Sequence, residues 1–244
     1  MTRMLITRPE PDASLSAVRL QALGIEPVVV PLLQRVALPE PLPPAEGFAA
    51  LALTSSNALR TLEERGALAA YRHLPAFAVG DGTAETARLL GFDRVTSAGG
   101  SFADLVAVLA QGRPGGPVFY PCARHAVGDL GKSLSPFGIA VATTRLYDMV
   151  PIGALPEPVR AELRAGLFDA ALFYSRRTAE TFASLADGIV PREARTRIGM
   201  LCLSENIAVP LIEAHFVRVS LADHPSEDAM MTLALSFARD QNAS

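Results

Sequence analysis

The 244-residue chain carries 22 Lys and Arg against 25 Asp and Glu, a formal net charge of -3, and half of its residues are hydrophobic. That composition can bury an ordinary core and is not that of a disordered chain. Its mild acidity argues against a nucleic-acid binder, which shows a basic domain or stripe, so an anionic ligand must be held by local donors.

The length allows one large α/β domain or two of about 120 residues. The opening stretch, MTRMLITRPEPDA, has a short apolar run stopped by Arg8 and Pro9. It reads as neither a signal peptide nor a membrane anchor. With no apolar run of transmembrane length, the expectation is a cytoplasmic protein. Cys122 and Cys202 are isolated from other metal-ligand residues and read as core thiols; no metal is expected.

Taken in order, β-rich runs occur at 4–7 (MLIT), 27–31 (PVVVP), 51–54, 76–79 (AFAV), 94–96, 118–120 (VFY), 139–144 (IAVATT), 170–174 (AALFY), 199–203 (GMLCL) and 217–220 (VRVS). Helical periodicity fills most intervals, at 13–23, 58–65, 83–90, 102–109, 178–186, 207–214 and 226–238. Several strands are apolar throughout, as in parallel sheets covered on both faces. The alternation predicts an α/β fold, doubly wound.

Internal similarity divides the chain further. Residues 78–95 (AVGDGTAETARLLGFDRV) align with 202–219 (CLSENIAVPLIEAHFVRV), sharing an FxRV ending. Residues 171–182 lie under 51–62, which sets Ser175 under Ser55. Residues 4–34 likewise resemble 118–148, each a strand, a loop, a helix, a Gly-Ile and a second strand. The order is therefore short unit, long unit, short unit, long unit. Either consecutive units pair, or the first crosses to join the last. Pro-rich stretches at 35–47 and 149–160 favour the crossing. The expected domains are 1–34 plus 152–244 and 35–148, linked near 35–40 and 147–152, with a cleft between them.

Small polar residues recur where a strand hands over to a helix: Thr54-Ser55-Ser56-Asn57, Gly80-Asp81-Gly82-Thr83, Gly99-Gly100-Ser101, Ser175-Arg176-Arg177-Thr178, Ser204-Glu205-Asn206 and Pro225-Ser226. Each alone is a sufficient helix cap. In open α/β sheets these are also the positions where ligands meet unpaired N–H groups, so together they suggest a distributed anion site. The dinucleotide, P-loop, nucleophile-elbow and zincin motifs are all missing, and no base stands beside a nucleophile.

The motifs LITRPEPDA, LTSSNALRTL, AVGDGTAETARLLGF, GGSFADLVAVL, VFYPCARH, TTRLYDMVP, LFYSRRTAETF and HPSEDAM, in this order and spacing, resemble the uroporphyrinogen-III synthase family. The resemblance spans essentially the whole chain. It implies two flavodoxin-like α/β domains with parallel sheets, one discontinuous, joined by a two-stranded linker with the active site between them.

The implied reaction cyclises hydroxymethylbilane, a linear tetrapyrrole with eight carboxylates, with loss of water and inversion of ring D through a cationic azafulvene and a spiro intermediate. No cofactor, nucleic acid or membrane is implied, and a monomer is expected.

By this resemblance Tyr147 is the acid that helps hydroxide leave. Substrate binding falls to Arg8, Thr54, Ser55, Asn57, Gly80, Thr83, Ser101, Ser175, Arg176, Ser204 and Ser226. The chain departs from the family at LCLSENIA, where Ser204 replaces a Thr-bearing turn, and at YSRRTA, where Arg176 and Arg177 either contact propionates or solvate the surface. A non-catalytic, two-lobed anion-binding or sensor module is the alternative from another class.

Overall fold

A computed structural model describes residues 1–126 and 128–242. Two compact units divide the chain, Met1–Gln34 with Val150–Ser244, and Arg35–Met149. In chain order the elements are β1 (Arg3–Ile6), α1 (Asp12–Ala22), β2 (Glu26–Val29), β3 (Leu33–Ala37), β4 (Ala50–Leu53), α2 (Ser56–Glu64), α3 (Leu68–Tyr71), β5 (Ala76–Ala78), α4 (Asp81–Leu89), β6 (Val95–Ser97) and α5 (Phe102–Gly112). They continue with β7 (Val118–Ala123), α6 (Leu130–Leu134), β8 (Val141–Pro151), α7 (Glu157–Ala165), β9 (Ala170–Phe173), α8 (Arg176–Ala186), α9 (Arg192–Arg195), β10 (Gly199–Cys202), α10 (Glu205–Glu213), β11 (Arg218–Leu221) and α11 (Glu227–Asn242). Among the described residues no helix is long and apolar enough to cross a membrane.

The first unit's sheet runs β2-β1-β9-β10-β11, all parallel. Numbered along the chain, that is the 2-1-3-4-5 order of a flavodoxin-like sheet. The second unit's sheet runs β3-β8-β7-β4-β5-β6, parallel from β8 to β6. It repeats the same order if β7 and β8 are counted ahead of β4, β5 and β6. The short and long repeats of the sequence therefore occupy equivalent places in the two sheets, joined in opposite chain order.

Each sheet is buried on both faces because its central strands are apolar at every position. In β9, Ala171 and Phe173 turn toward α7, α8 and α10, where Phe182 and Leu211 pack. Ala170 and Leu172 turn toward α1 and α11, where Leu20, Met230 and Phe237 pack. In the second unit Leu51 and Leu53 of β4 face α2, α3 and α4, and Ala50 and Ala52 face α5 and α6. At ~1.5–3 kcal/mol for each large side chain fully buried, these paired layers are the main support of the parallel sheets.

Sequence periodicity misses β3, the far half of β8 and α7. The residues read as linker begin in strand: the Leu38 N–H donates to the Leu146 carbonyl (2.7 Å) and the Ile152 N–H to the Leu32 carbonyl (3.0 Å). Those two bonds make β3 and β8 antiparallel, and the chain passes between units inside both strands. β3 is an edge strand with mostly solvated side chains, so it carries neither an apolar run nor a clean alternation. α7 begins inside the second Pro-rich stretch, with Pro158 in its first turn, where the missing N–H costs nothing.

Candidate functional site

The strand-to-helix turns form the carboxyl edge of each sheet, and every sequence-predicted binding residue, Arg8 between β1 and α1 included, lies in or at the start of the helix after one of them; Tyr147 lies within β8. In the second unit β4 ends into Thr54 and Ser55. Ser55 is extended and caps α2, its hydroxyl oxygen accepting from the Asn57 N–H at 3.2 Å. The Thr54 hydroxyl lies 3.2 Å from the phenol of Tyr120 on β7. Asn57 accepts from Arg60 Nη1 at 3.3 Å.

Tyr147, on β8, is 3% exposed and belongs to the core beneath α2, α3 and α4. Burial pushes its pKa up from the usual value, and the nearby Cys122 adds to the rise; the Ser55 side chain and the Arg35 charge pull it partly back. Burial drives Tyr120 to about 12, against the opposing bond from Thr54, and Cys122 to about 11. Both phenols are therefore protonated donors at neutral pH.

The turns at Gly80 and Ser101 meet backbone to backbone. Gly80 is the α4 cap and supplies no side-chain acceptor, leaving the first N–H groups of that helix without a side-chain cap. A Cβ on Gly80 would sit 3.3 Å from Gly100 Cα, so this approach is close enough to favour glycine. Thr83 follows in the first turn of α4 and is partly buried. Ser101 closes a capping box with Asp104, and the bonds from Ser101 hold the Asp104 carboxyl below the usual range.

In the first unit Ser175 caps α8, accepting from the Thr178 N–H at 3.2 Å. Arg176 donates to Glu180 at 2.8 Å and to Asn206 at 2.9 Å, reaching the turn after Ser204. Ser204 is the extended cap residue of α10 but makes no side-chain cap bond. Ser226 accepts from the Ala229 N–H at 3.1 Å at the start of α11.

Arg8, just after β1, is already engaged. It pairs with Glu227 and with Asp12 (3.2 Å), donates to Ser16 (3.2 Å), and its guanidinium carbon lies 4.1 Å from the Tyr174 ring centroid. Glu227 also accepts from Ser16 at 2.7 Å and Tyr174 at 3.4 Å. Burial, reinforced by the Glu227 charge, takes Tyr174 to about 12.

Sequence reasoning passed over Tyr120, Tyr174, Ser16, Arg35 and Glu227. Tyr120 and Tyr174 could have been found as polar-tipped residues near the carboxyl ends of apolar strands. Ser16, Arg35 and Glu227 give no local signal, because their partners lie far along the chain. A surface hollow of the first unit, lined in part by Ala183, Asp187, Arg192 and His215, is at the far ends of α8 and α10 from Ser175 and Ser204 and contains none of the predicted residues.

A family model, uroporphyrinogen-III synthase HemD, matches residues 15–232. No curated protein matches the chain. Among solved structures, a uroporphyrinogen-III synthetase from Helicobacter pylori is 21% identical, with a TM-score of 0.66 and 97% of this chain and 99% of that chain covered. A mutant uroporphyrinogen III synthase from Thermus thermophilus is 18% identical, with a TM-score of 0.57 and 98% and 100% covered. At these identities the structural likeness is one of fold.

Proposed function

The chain belongs to the uroporphyrinogen-III synthase family, and from that premise we propose how its residues carry the family reaction, cyclisation of hydroxymethylbilane to uroporphyrinogen III with loss of water and inversion of ring D. The observation that carries this reading is the family match over nearly the whole chain, 15–232. A non-catalytic anion-binding role is not favoured by that match.

The substrate has eight carboxylates, and helix N-termini favour anions through unpaired N–H groups and the helix dipole. We assign carboxylate binding to Thr54, Ser55, Asn57, Gly80, Thr83 and Ser101 in one unit and to Arg8, Ser175, Arg176, Ser204 and Ser226 in the other. Their places at strand-to-helix turns support the assignment. For Arg8, between β1 and α1, a partly solvated guanidinium adds to that support. Holding a flexible linear tetrapyrrole in one folded pose supplies proximity and orientation.

Tyr147 is assigned as the acid. Its phenol is protonated at neutral pH, as a donor to a departing hydroxyl must be. Proton transfer from Tyr147 lets the C–O bond break with its electron pair leaving as water. The cationic azafulvene is then attacked by ring D. The net reaction removes only water, so the proton given by Tyr147 is replaced by one the substrate loses at ring closure. No electrons are transferred, and the balance calls for no cofactor. On this reading the protein works in the cytoplasm as a monomer, without nucleic acid or membrane.

Incubation with freshly prepared hydroxymethylbilane tests the reading. The type III isomer is expected; accumulation of only the symmetrical isomer that forms spontaneously would exclude it.

A further inference from the structure

Tyr120 lies on β7, the strand beside β4 in the second unit, and is 1% exposed. Its ring packs with Ala52, Leu105, Val118 and Leu130, a setting in which phenylalanine would bury the same hydrocarbon. A phenol hydroxyl adds only cost there unless it finds a partner. The partner is Thr54, the first residue after β4, whose hydroxyl oxygen lies 3.2 Å from the phenol oxygen.

The first unit shows that the fold asks for no hydroxyl at this point. Val118 and Phe119 pair with Ala50 and Leu51 as Met4 and Leu5 pair with Ala170 and Ala171. Tyr120 therefore takes the place that Ile6 holds in the first unit, and Ile6 is fully buried among hydrocarbon.

The direction of the hydrogen bond follows from burial. Thr54 is the phenol's one hydrogen-bond partner among the described residues. Were Thr54 to donate, the phenol O–H would lie in the core without an acceptor, and a buried unsatisfied donor bears its full desolvation penalty. Thr54 is partly exposed and makes no other side-chain hydrogen bond among the described residues. Its oxygen can accept on one lone pair while its own O–H turns elsewhere. The phenol is protonated at neutral pH, so Tyr120 donates and Thr54 accepts.

Resting on the assignment of Thr54 to carboxylate binding, we propose that Tyr120 is a positioning residue for substrate: its phenol fixes the Thr54 side chain through Oγ1 and leaves the Thr54 O–H as a dedicated donor to a substrate carboxylate. A threonine whose acceptor side is occupied from within the core presents a donor outward, which suits an anion. Tyr120, being buried, acts only through Thr54.

Steady-state kinetics with hydroxymethylbilane tests this in Tyr120→Phe, Thr54→Val and the double variant. Thr54→Val removes the donor and should raise KM about tenfold, the scale of one hydrogen bond to a charged group. Tyr120→Phe keeps the ring and should raise KM about threefold, the scale of a neutral hydrogen bond whose loss lets Thr54 rotate. The double variant should match Thr54→Val, because a phenol acting only through Thr54 then has nothing to act on. In all three kcat should stay within about twofold, as for lost binding that is uniform along the reaction. Thr54→Ser, which keeps acceptor and donor, should bind substrate nearly as well as the parent. Thermal melts add a reading without substrate: Thr54→Val strands the buried phenol and lowers Tm, and adding Tyr120→Phe should restore it.

If Thr54 instead donated to the phenol, Tyr120→Phe would release its O–H, and KM would fall or stay level; either result, with KM raised in Thr54→Val, overturns the proposal. A double variant whose KM rise is the product of the two single rises overturns it too, since Tyr120 would then act independently of Thr54. An unchanged KM in Thr54→Val removes Thr54 from the binding set, and a parent that forms only the symmetrical isomer excludes the family reaction. Both of these overturn the proposal as well, and they are told apart from its own failure because the Tm pattern still reports the bond between Tyr120 and Thr54.

Discussion

The guanidinium carbon of Arg8 lies 4.1 Å from the centroid of the Tyr174 ring, and Glu227 is bound to both residues, by an ion pair to one and a 3.4 Å hydrogen bond to the other. An arginine expected to meet a substrate carboxylate is therefore already matched with an internal one. Glu227→Gln keeps an acceptor for Ser16 and Tyr174 but removes the charge that competes for Arg8. Steady-state kinetics should show a severalfold lower KM for hydroxymethylbilane with kcat little changed. Arg8→Gln should raise KM instead. A KM that ignores both substitutions would remove Arg8 from the binding set.

Tyr147→Phe removes the proton without changing the ring that packs in the core. General acid catalysis typically contributes about 10²–10⁴-fold, so kcat should fall within that range and more than KM rises. Thermal stability should change little, because the ring that packs in the core is retained. Product-isomer analysis is part of the measurement, because slow release of substrate to spontaneous closure would appear as the symmetrical isomer.

The layered α/β architecture was legible because strands such as Ala170–Phe173 and Ala50–Leu53 are apolar at every position, a pattern that parallel strands covered on both faces require. The helix starts were legible for a chemical reason, since Ser55, Ser101, Ser175 and Ser226 all accept cap hydrogen bonds. The crossing strand β3 was not, because Gln34, Val36 and Ala37 are solvated on an edge and β-pairing there is decided by β8, over 100 residues away. The contacts of Arg8 to Glu227 and of Thr54 to Tyr120 span 219 and 66 residues; spacing within one segment cannot encode them. The same distance hides the occupied state of Arg8, which reads as a free cation in the string LITRPE.

Gly199 opens β10 with its Cα against α11. A Cβ there would come within 2.4 Å of the Phe237 ring, and that ring is itself buried and covered by Arg218. Gly199→Ala should destabilise the protein by ~1–3 kcal/mol, the usual cost of overpacking, visible as a lower Tm. Pairing it with Phe237→Leu should recover part of the loss; equal stability of the single and double variants would place the strain elsewhere.

Arg35 also sets an acid limb to stability. Its hydrogen bonds to Glu64 hold that carboxyl below the usual glutamate range against a smaller effect of burial. A group with a lowered folded pKa adds stability above its unfolded value and loses it as pH falls through the folded one. Tm should therefore decline from about pH 5 downward, and Glu64→Gln should flatten part of that slope. The contribution is small, because the Glu64 side chain is 55% exposed. An identical slope in the variant would show that the pair does not persist in solution.

Gly80→Ala separates turn geometry from backbone preference. Gly80 has φ -161, extended backbone that alanine adopts freely, so any penalty must come from the approach to Gly100. There the new Cβ would lie 3.3 Å from the Gly100 Cα, and the neighbour has little freedom to withdraw: Gly100 sits at φ +125 and its N–H is bonded to the Val79 carbonyl at 2.7 Å. The turn carrying Ser101 should shift by a few tenths of an ångström, with a stability loss of ~1 kcal/mol, the low end for overpacking. If the starts of α4 and α5 both receive substrate carboxylates, that shift should raise KM severalfold and leave kcat for bound substrate nearly intact. The comparison variant Ala84→Gly, within α4, weakens the helix by ~1 kcal/mol through propensity without crowding the turn. Equal KM values in the two variants would mean that stability, and not the position of the turn, controls binding there.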